Sequence, residues 1–279
     1  MIYIIVPTFG RIKETKNFIN AIQNLLLDSY LIVIIDDHPE NITFKAIKEI
    51  NNIRIIMSNN ELWWVGSINL GINILFNDYL INKNDIIIFA NNDVIITKYN
   101  FDIMYKSLQK NANQIIHPRT FDQNGKEVSS GTKIINYFPY ITRHPINFKE
   151  IKSEIDMGTA RFLMMSGQTL KKVGYINKSL IQYLGDNDFT LKAKKLHNIN
   201  SYILRDAICL LDDTETGSKN NNINNINELF QSFRSIKSPN NIKYRYLFFK
   251  EHFNGLFSFF ITMSMTINSI IKFIIRKII

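Results

Sequence analysis

The chain has 279 residues, of which 46% are hydrophobic, so it can bury the core of one large domain or of a domain with an extension. Its single cysteine, Cys209, excludes an intramolecular disulfide and fits a reducing compartment. The net charge of +9 is uneven: residues 234–279 hold eight Lys/Arg against one Asp/Glu, so the basicity belongs to the tail and points to an anionic membrane surface rather than to nucleic acid.

The N-terminal "MIYIIVPT" is a short apolar run cut by Pro7. It reads as a buried strand and a loop, not as a secretion signal, because no basic residue precedes it. In "KETKNFINAIQNLLL", Phe18, Ala21, Ile22 and Leu25 recur at three and four, the spacing of a helix. "YLIVIIDD" is a second buried strand ending in Asp36 and Asp37. "ITFKAIKEI" reads as helix, "IRIIMSN" as strand, "SINLGINILFNDYL" as helix and "DIIIFANND" as a fourth strand. Short apolar strands alternating with helices predict an α/β domain with a mainly parallel sheet flanked by helices. The polar clusters at Thr8, Asp36–Asp37, Asn59–Asn60 and Asn91–Asp93 fall at the strand ends, where an open α/β sheet binds its ligands.

Further on, "FLMMSGQTLKKVGYI" starts as strand and turns helical. "GDNDFTLKAKKLHN" is a helix opened by acids, and "SYILRDAICLLDDTETG" is a strand ending in acidic and hydroxyl groups. A domain over residues 1–217 is expected, then a polar linker over 218–241, then a basic helical tail over 242–279. Residues 253–271 carry no charge. At about 100° per residue, Asn254, Ser258, Thr262, Thr266, Ser269, Lys272 and Arg276 share one face of that tail, with Leu256, Phe260, Met263, Ile267 and Ile271 opposite. Its length borders on a membrane span, but the polar stripe and basic flank favour lying in the interface. Packing on the domain or on a second copy is the alternative.

Three acidic sites can carry chemistry. Asp36 and Asp37 can accept hydrogen bonds from a ribose or a base imide, though Asp, His and Pro together also make an ordinary turn. Asp93, after a buried strand, suits a hard divalent cation, and Asn91 can add a carbonyl oxygen or reach a ribose. Asp186 and Asp188 can both face a pocket from the start of a helix, one as a general base, or either can simply cap that helix. No G-x-G-x-x-G follows a strand, no G-x-x-x-x-G-K-[ST] or G-x-S-x-G is present, and no Cys/His spacing suits zinc.

Taken in order, "IIVPTFGR", "VIIDD", "NNELWWVGSINLGI", "DIIIFANNDV", "GTARFLMMSG" and "YLGDNDFTLKAKK" resemble the family 2 glycosyltransferases of GT-A fold, over about residues 1–217. The "WWVGSINLGI" form looks like the bacterial rhamnosyltransferase-like branch. The resemblance implies that Asp93 is the last acid of a DXD motif, holding Mg²⁺ or Mn²⁺ with the donor diphosphate. It implies that Asp37 contacts the nucleotide base, with Pro7 and Thr8 lining that pocket. Asn69 and Gly71 match an N-x-G that approaches the donor, and Asp186 matches the catalytic base of inverting members. Arg161 suits either a place near the diphosphate or the surface, and at least one of Trp63 and Trp64 suits the core.

Two positions depart from the family pattern. Asn91 stands where the first acid of the motif would be. A metal-binding His usual after the final strand is missing, and Asp212 or Asp213 is the substitute available. The expected activity is transfer of a sugar from a nucleotide-sugar donor to a saccharide hydroxyl, on an acceptor linked to polyprenyl diphosphate, at the cytoplasmic face of a cell membrane, with an oligomer possible. A sugar-phosphate nucleotidyltransferase and a non-catalytic glycan- or partner-binding homologue are the rivals.

Overall fold

The computed structural model describes residues 1–25, 29–47, 52–58, 61–145, 150–212 and 223–278. The first part follows the predicted alternation: β1 (Ile2–Thr8), α1 (Ile12–Leu25), β2 (Tyr30–Asp36), α2 (Ile42–Ala46), β3 (Ile53–Met57), α3 (Trp63–Asn77) and β4 (Ile86–Ala90). Then come β5 (Val94–Ile96), α4 (Lys98–Lys110), β6 (Gln114–Phe121), β7 (Glu127–Val128), β8 (Gly131–Tyr137), β9 (Tyr140–Arg143), β10 (Lys152–Ile155) and β11 (Met157–Gly158). β12 (Phe162–Ser166), α5 (Gly167–Val173), α6 (Gly185–His197) and β13 (Asn200–Leu211) complete the sheet, and α7 (Ile226–Ser232), α8 (Ile242–His252) and α9 (Gly255–Ile278) follow.

The main sheet has the order β10-β13-β6-β12-β4-β1-β2-β3. β4, β1, β2 and β3 are parallel, and β12 enters antiparallel between β4 and β6. Both faces are covered, so its central strands are apolar up to their carboxyl ends: every residue of β2 is buried. Side chains alternate between the faces. Ile4, Ile32 and Ile34 pack with Phe18 and Ile22 of α1, whereas Ile5, Val33 and Ile35 pack with Ile68 and Ile72 of α3. Gly71 permits the second contact, because a Cβ there would lie 2.4 Å from Cγ2 of Ile5.

The tail packs on the domain, the alternative that its sequence also offers. α8 buries Tyr244, Phe248 and Phe249 in the same core as α3 and α6, and Ile261 of α9 joins them. Burying each phenylalanine contributes about 1.5–3 kcal/mol, so α8 belongs to the domain's stability. α9 lies along α8. Its hydroxyl stripe faces the protein: Ser258, Thr262 and Thr266 are buried, and each hydroxyl donates to the carbonyl four residues back, at 2.8 Å. With their donors satisfied inside the helix, these small side chains pack as compact, nearly apolar groups. The outward ridge is Leu256, Phe259, Phe260, Met263, Ile267, Ile271, Ile274 and Ile275.

Candidate active site

The carboxyl ends of β1, β2 and β4 meet at one edge of the sheet, as the pattern of polar clusters predicts. Asn91, Asn92 and Asp93 form the turn between β4 and β5. Asn92 is turned inward, donating to Oγ1 of Thr15 at 2.9 Å, and so fixes the turn against α1. Asn91 accepts from Nε1 of Trp64 at 3.3 Å.

Asp93 is the unusual member. Arg11 donates to its Oδ2 at 2.9 Å, while Oδ1 is buried with no hydrogen-bond partner. Burial pushes its carboxyl above the usual carboxylate value, against the pull of the Arg11 guanidinium and of the charge of Arg161. An unsatisfied buried oxygen costs about 1–3 kcal/mol, and a hard anionic oxygen held open in this way suits a divalent cation. Asp212 lies beside it, because its N–H donates to the Asp93 carbonyl at 2.7 Å where β13 pairs with β5. The Asp212 carboxylate accepts from Gln123 at 3.0 Å. Asp213 lies outside the described residues, as do Asn59 and Asn60. Among the described residues no cluster of three or more His, Cys, Asp or Glu is arranged around a metal position. A cation on Asp93 would therefore complete its shell from a ligand and water.

Asp186 opens α6. Gly185 before it must be glycine, since a Cβ would lie 2.4 Å from Val65 Cγ2. Its carboxylate accepts from the N–H of Asn187 at 2.9 Å and of Ala160 at 3.2 Å. Burial raises this carboxyl too, more than those two N–H groups and the charge of Arg161 lower it. Arg161, between β11 and β12, thus acts on both Asp93 and Asp186, and it donates to the carbonyl of Ser129 at 2.5 Å. The loop carrying Ala160 rests on His117, fully buried, whose Nδ1 is 2.9 Å from the carbonyl of Thr159.

The other expected residues serve the scaffold. Asp36 accepts from the N–H groups of His38 and Phe44, holding its own loop on α2. Asp37 accepts from Ser58 Oγ and from the N–H groups of Leu62 and Trp63, and so anchors the start of α3. Thr8 is buried, with its hydroxyl 3.3 Å from the Ile35 carbonyl and from Thr43 Oγ1, while Pro7 stays partly exposed on β1. Asn69 and Asp188 are engaged within the protein. The Asn69 amide both donates to and accepts from the backbone of Ile176, each at 2.9 Å. Asp188 is fully buried, with one oxygen 2.9 Å from Nε2 of His252 and the other accepting from the N–H of Asn177. Arg11 is the site residue that sequence patterns did not single out. Its signal was a basic side chain directly after the first strand, in "VPTFGR".

The model of the family described as glycosyl transferase family 2 matches residues 3–174. No curated protein matches the chain. Among solved structures the fold is similar to that of GalNAc-T7 with UDP, GalNAc and Mn²⁺, with a TM-score of 0.57 and 8% identity over 76% of this chain and 43% of that one. It is also similar to S. aureus TarS 1-349 in complex with UDP-GlcNAc, with a TM-score of 0.51 and 15% identity over 76% of this chain and 56% of that one. At these identities the likeness is one of fold, and the chain spans about half the length of those two structures.

Proposed function

The chain belongs to glycosyl transferase family 2, and from that premise we propose that it moves a sugar from a nucleotide-sugar donor to a saccharide hydroxyl with inversion at the anomeric carbon. The observation that carries this reading is the pair of carboxylates Asp93 and Asp186, both raised by burial, both under the charge of Arg161, and divided in role by their surroundings. Asp186 takes the proton of the acceptor hydroxyl as that oxygen attacks the sugar. A carboxyl raised toward the working pH is the better base for it. Asp93, with one oxygen on Arg11 and one without a partner, faces the donor diphosphate. A bound Mg²⁺ or Mn²⁺ held by Asp93, with Asp212 beside it, would neutralise charge on the departing diphosphate.

Arg161 orients the same diphosphate. Pro7, Thr8 and Asp37 shape the nucleotide wall through the backbone they fix, and Asn91 sets the Trp64 ring at its edge. Two solved structures of similar fold hold UDP and Mn²⁺ in one case and UDP-GlcNAc in the other, which supports a uridine-type donor and a divalent ion here. The exposed apolar ridge of α9 and the basic residues that follow support a peripheral seat on the inner face of a cell membrane. There the acceptor would be a polyprenyl-diphosphate-linked saccharide, in the manner of the rhamnosyltransferase-like branch.

The test is a panel of nucleotide sugars with the metal ion, scored by thermal stabilisation and then by product. Release of nucleoside diphosphate supports transfer. Pyrophosphate release would make the protein a nucleotidyltransferase, and donor binding without turnover over any acceptor would make it a binding protein. Asp93→Asn should abolish the metal-dependent part of the stabilisation, and an unchanged shift would remove Asp93 from the site.

A further inference from the structure

α8, α9 and the β8–β9 hairpin enclose a cavity of about 460 Å³. Three cations line it: Arg245 from α8, and Lys272 and Arg276 from α9. Among the described residues no carboxylate lines it. Arg245 is 6% exposed, and neutral acceptors hold its guanidinium: the Pro239 carbonyl at 3.1 Å, Asn240 Oδ1 at 2.6 Å and Ser269 Oγ at 3.3 Å. Burial pushes it down to about 10, as expected of a cation taken from water without a counter-charge. A buried charge is costly until it is paired, so this cavity favours an anion.

The cavity does not end there. It shares Tyr140, Ile141 and Asn268 with a neighbouring groove of about 540 Å³, whose walls are Phe138 of the hairpin and Met263, Ile267 and Ile271 of α9. A ligand that fills both spaces has an anionic head and a hydrocarbon chain. Inorganic phosphate or a nucleotide would satisfy the head and leave the apolar walls open to water.

We propose that the Arg245–Lys272–Arg276 cavity binds the phosphate headgroup of an anionic membrane phospholipid, with an acyl chain lying in the groove between α9 and the hairpin tip. The inference rests on the reading of α9 as a membrane-facing helix and adds a headgroup site to it. It also accounts for the facing of α9. With the hydroxyl stripe packed on α8 and the apolar ridge outward, the three cations sit at the depth of lipid phosphates while the ridge enters the acyl region.

The experiment uses the full chain with vesicles of phosphatidylcholine alone and of phosphatidylcholine with phosphatidylglycerol. The protein should prefer the second. The exposed pair Lys272→Gln/Arg276→Gln should lose that preference by about tenfold or more, whereas Lys106→Gln/Lys110→Gln on α4, with the same change of net charge, should keep it. Equal loss in the two pairs would mean unspecific attraction and would overturn the site. Inorganic phosphate alone should neither stabilise the protein nor displace it from vesicles; if it does both, the cavity is a site for soluble phosphate and the lipid proposal fails. A third pair, Phe259→Ser/Ile274→Ser, lies on the ridge outside the groove and should weaken binding to both vesicles. If that pair matters while Lys272→Gln/Arg276→Gln behaves as the parent, the headgroup site is wrong and the membrane reading stands. If the parent binds neither vesicle, both are wrong.

Discussion

Nε2 of His252, the last residue of α8, lies 2.9 Å from a carboxylate oxygen of Asp188, 64 residues earlier in the chain. Both side chains are almost wholly buried. Asp188 is two residues from Asp186, on the first turn of α6. The C-terminal segment therefore clamps the helix that presents the proposed base.

His252→Ala should destabilise the fold by about 3–5 kcal/mol, because it leaves a buried carboxylate without its side-chain partner. Asp188→Asn keeps an acceptor for the imidazole and should cost less. Urea unfolding of the two variants beside the parent checks this. An alanine variant as stable as the parent would show that the pair does not hold α8 in place.

Asp186→Asn should lower the turnover of sugar transfer by about 10²–10⁴, the range of a lost general base, with donor affinity unchanged. Because burial raises the Asp186 carboxyl, the acid limb of the parent's rate profile should lie above the ordinary aspartate value of 3.8. Transfer and donor titration measured on the same preparations separate the two effects. Weakened donor binding at full turnover would move Asp186 out of the proton-transfer role.

His117 should make the protein acid-sensitive. Burial lowers it from 6.5 to about 4, so between those values the unfolded chain binds a proton that the native chain does not. Stability then rises with pH across this window, and on going down from pH 6.5 to about 4 the folded state loses on the order of 3 kcal/mol. Asp93 and Asp186, raised by burial, have the opposite sign: ionising them works against the fold, so each favours it as the pH falls toward 3.8. Melting curves of the parent and of His117→Gln from pH 7 to 4 isolate the histidine, and parallel curves would exclude its contribution.

Gly71→Ala should destabilise by about 1–3 kcal/mol, since the new methyl must displace Ile5 at the centre of the sheet. Pairing it with Ile5→Val should recover part of the loss. If Gly71→Ala leaves stability intact but weakens donor binding, the glycine serves the ligand rather than the packing.

The N-terminal half of the fold was legible because its signals are local. β1, β2 and β4 are mostly apolar runs, and α1 repeats its apolar residues at helical spacing. The turn at Asn91–Asp93 was legible for the same reason, as polar residues ending such a run. Residues 97–161 were not: β6 is buried yet contains His117, Pro118 and Arg119, and the β8–β9 hairpin is mostly exposed, so neither shows a clean period. The partners of Asn69 and Asp188 lie 107 and 64 residues away, which no local pattern records. The facing of α9 on the domain was not legible, because an amphipathic wheel gives two faces but not which one packs, and hydroxyls that bond within their own helix are content indoors.

The break between α8 and α9, at Phe253 and Asn254, marks where the chain can be recombined. A hybrid that takes its last helix from another protein should be spliced at Asn254. Cutting at residue 242 would remove Phe248 and Phe249 from the interior together with the imidazole that Asp188 needs. Joined at the later point, a foreign helix that keeps an apolar residue at the place of Ile261 could change where the protein resides in the cell while leaving the architecture around Asp186 as its own sequence builds it.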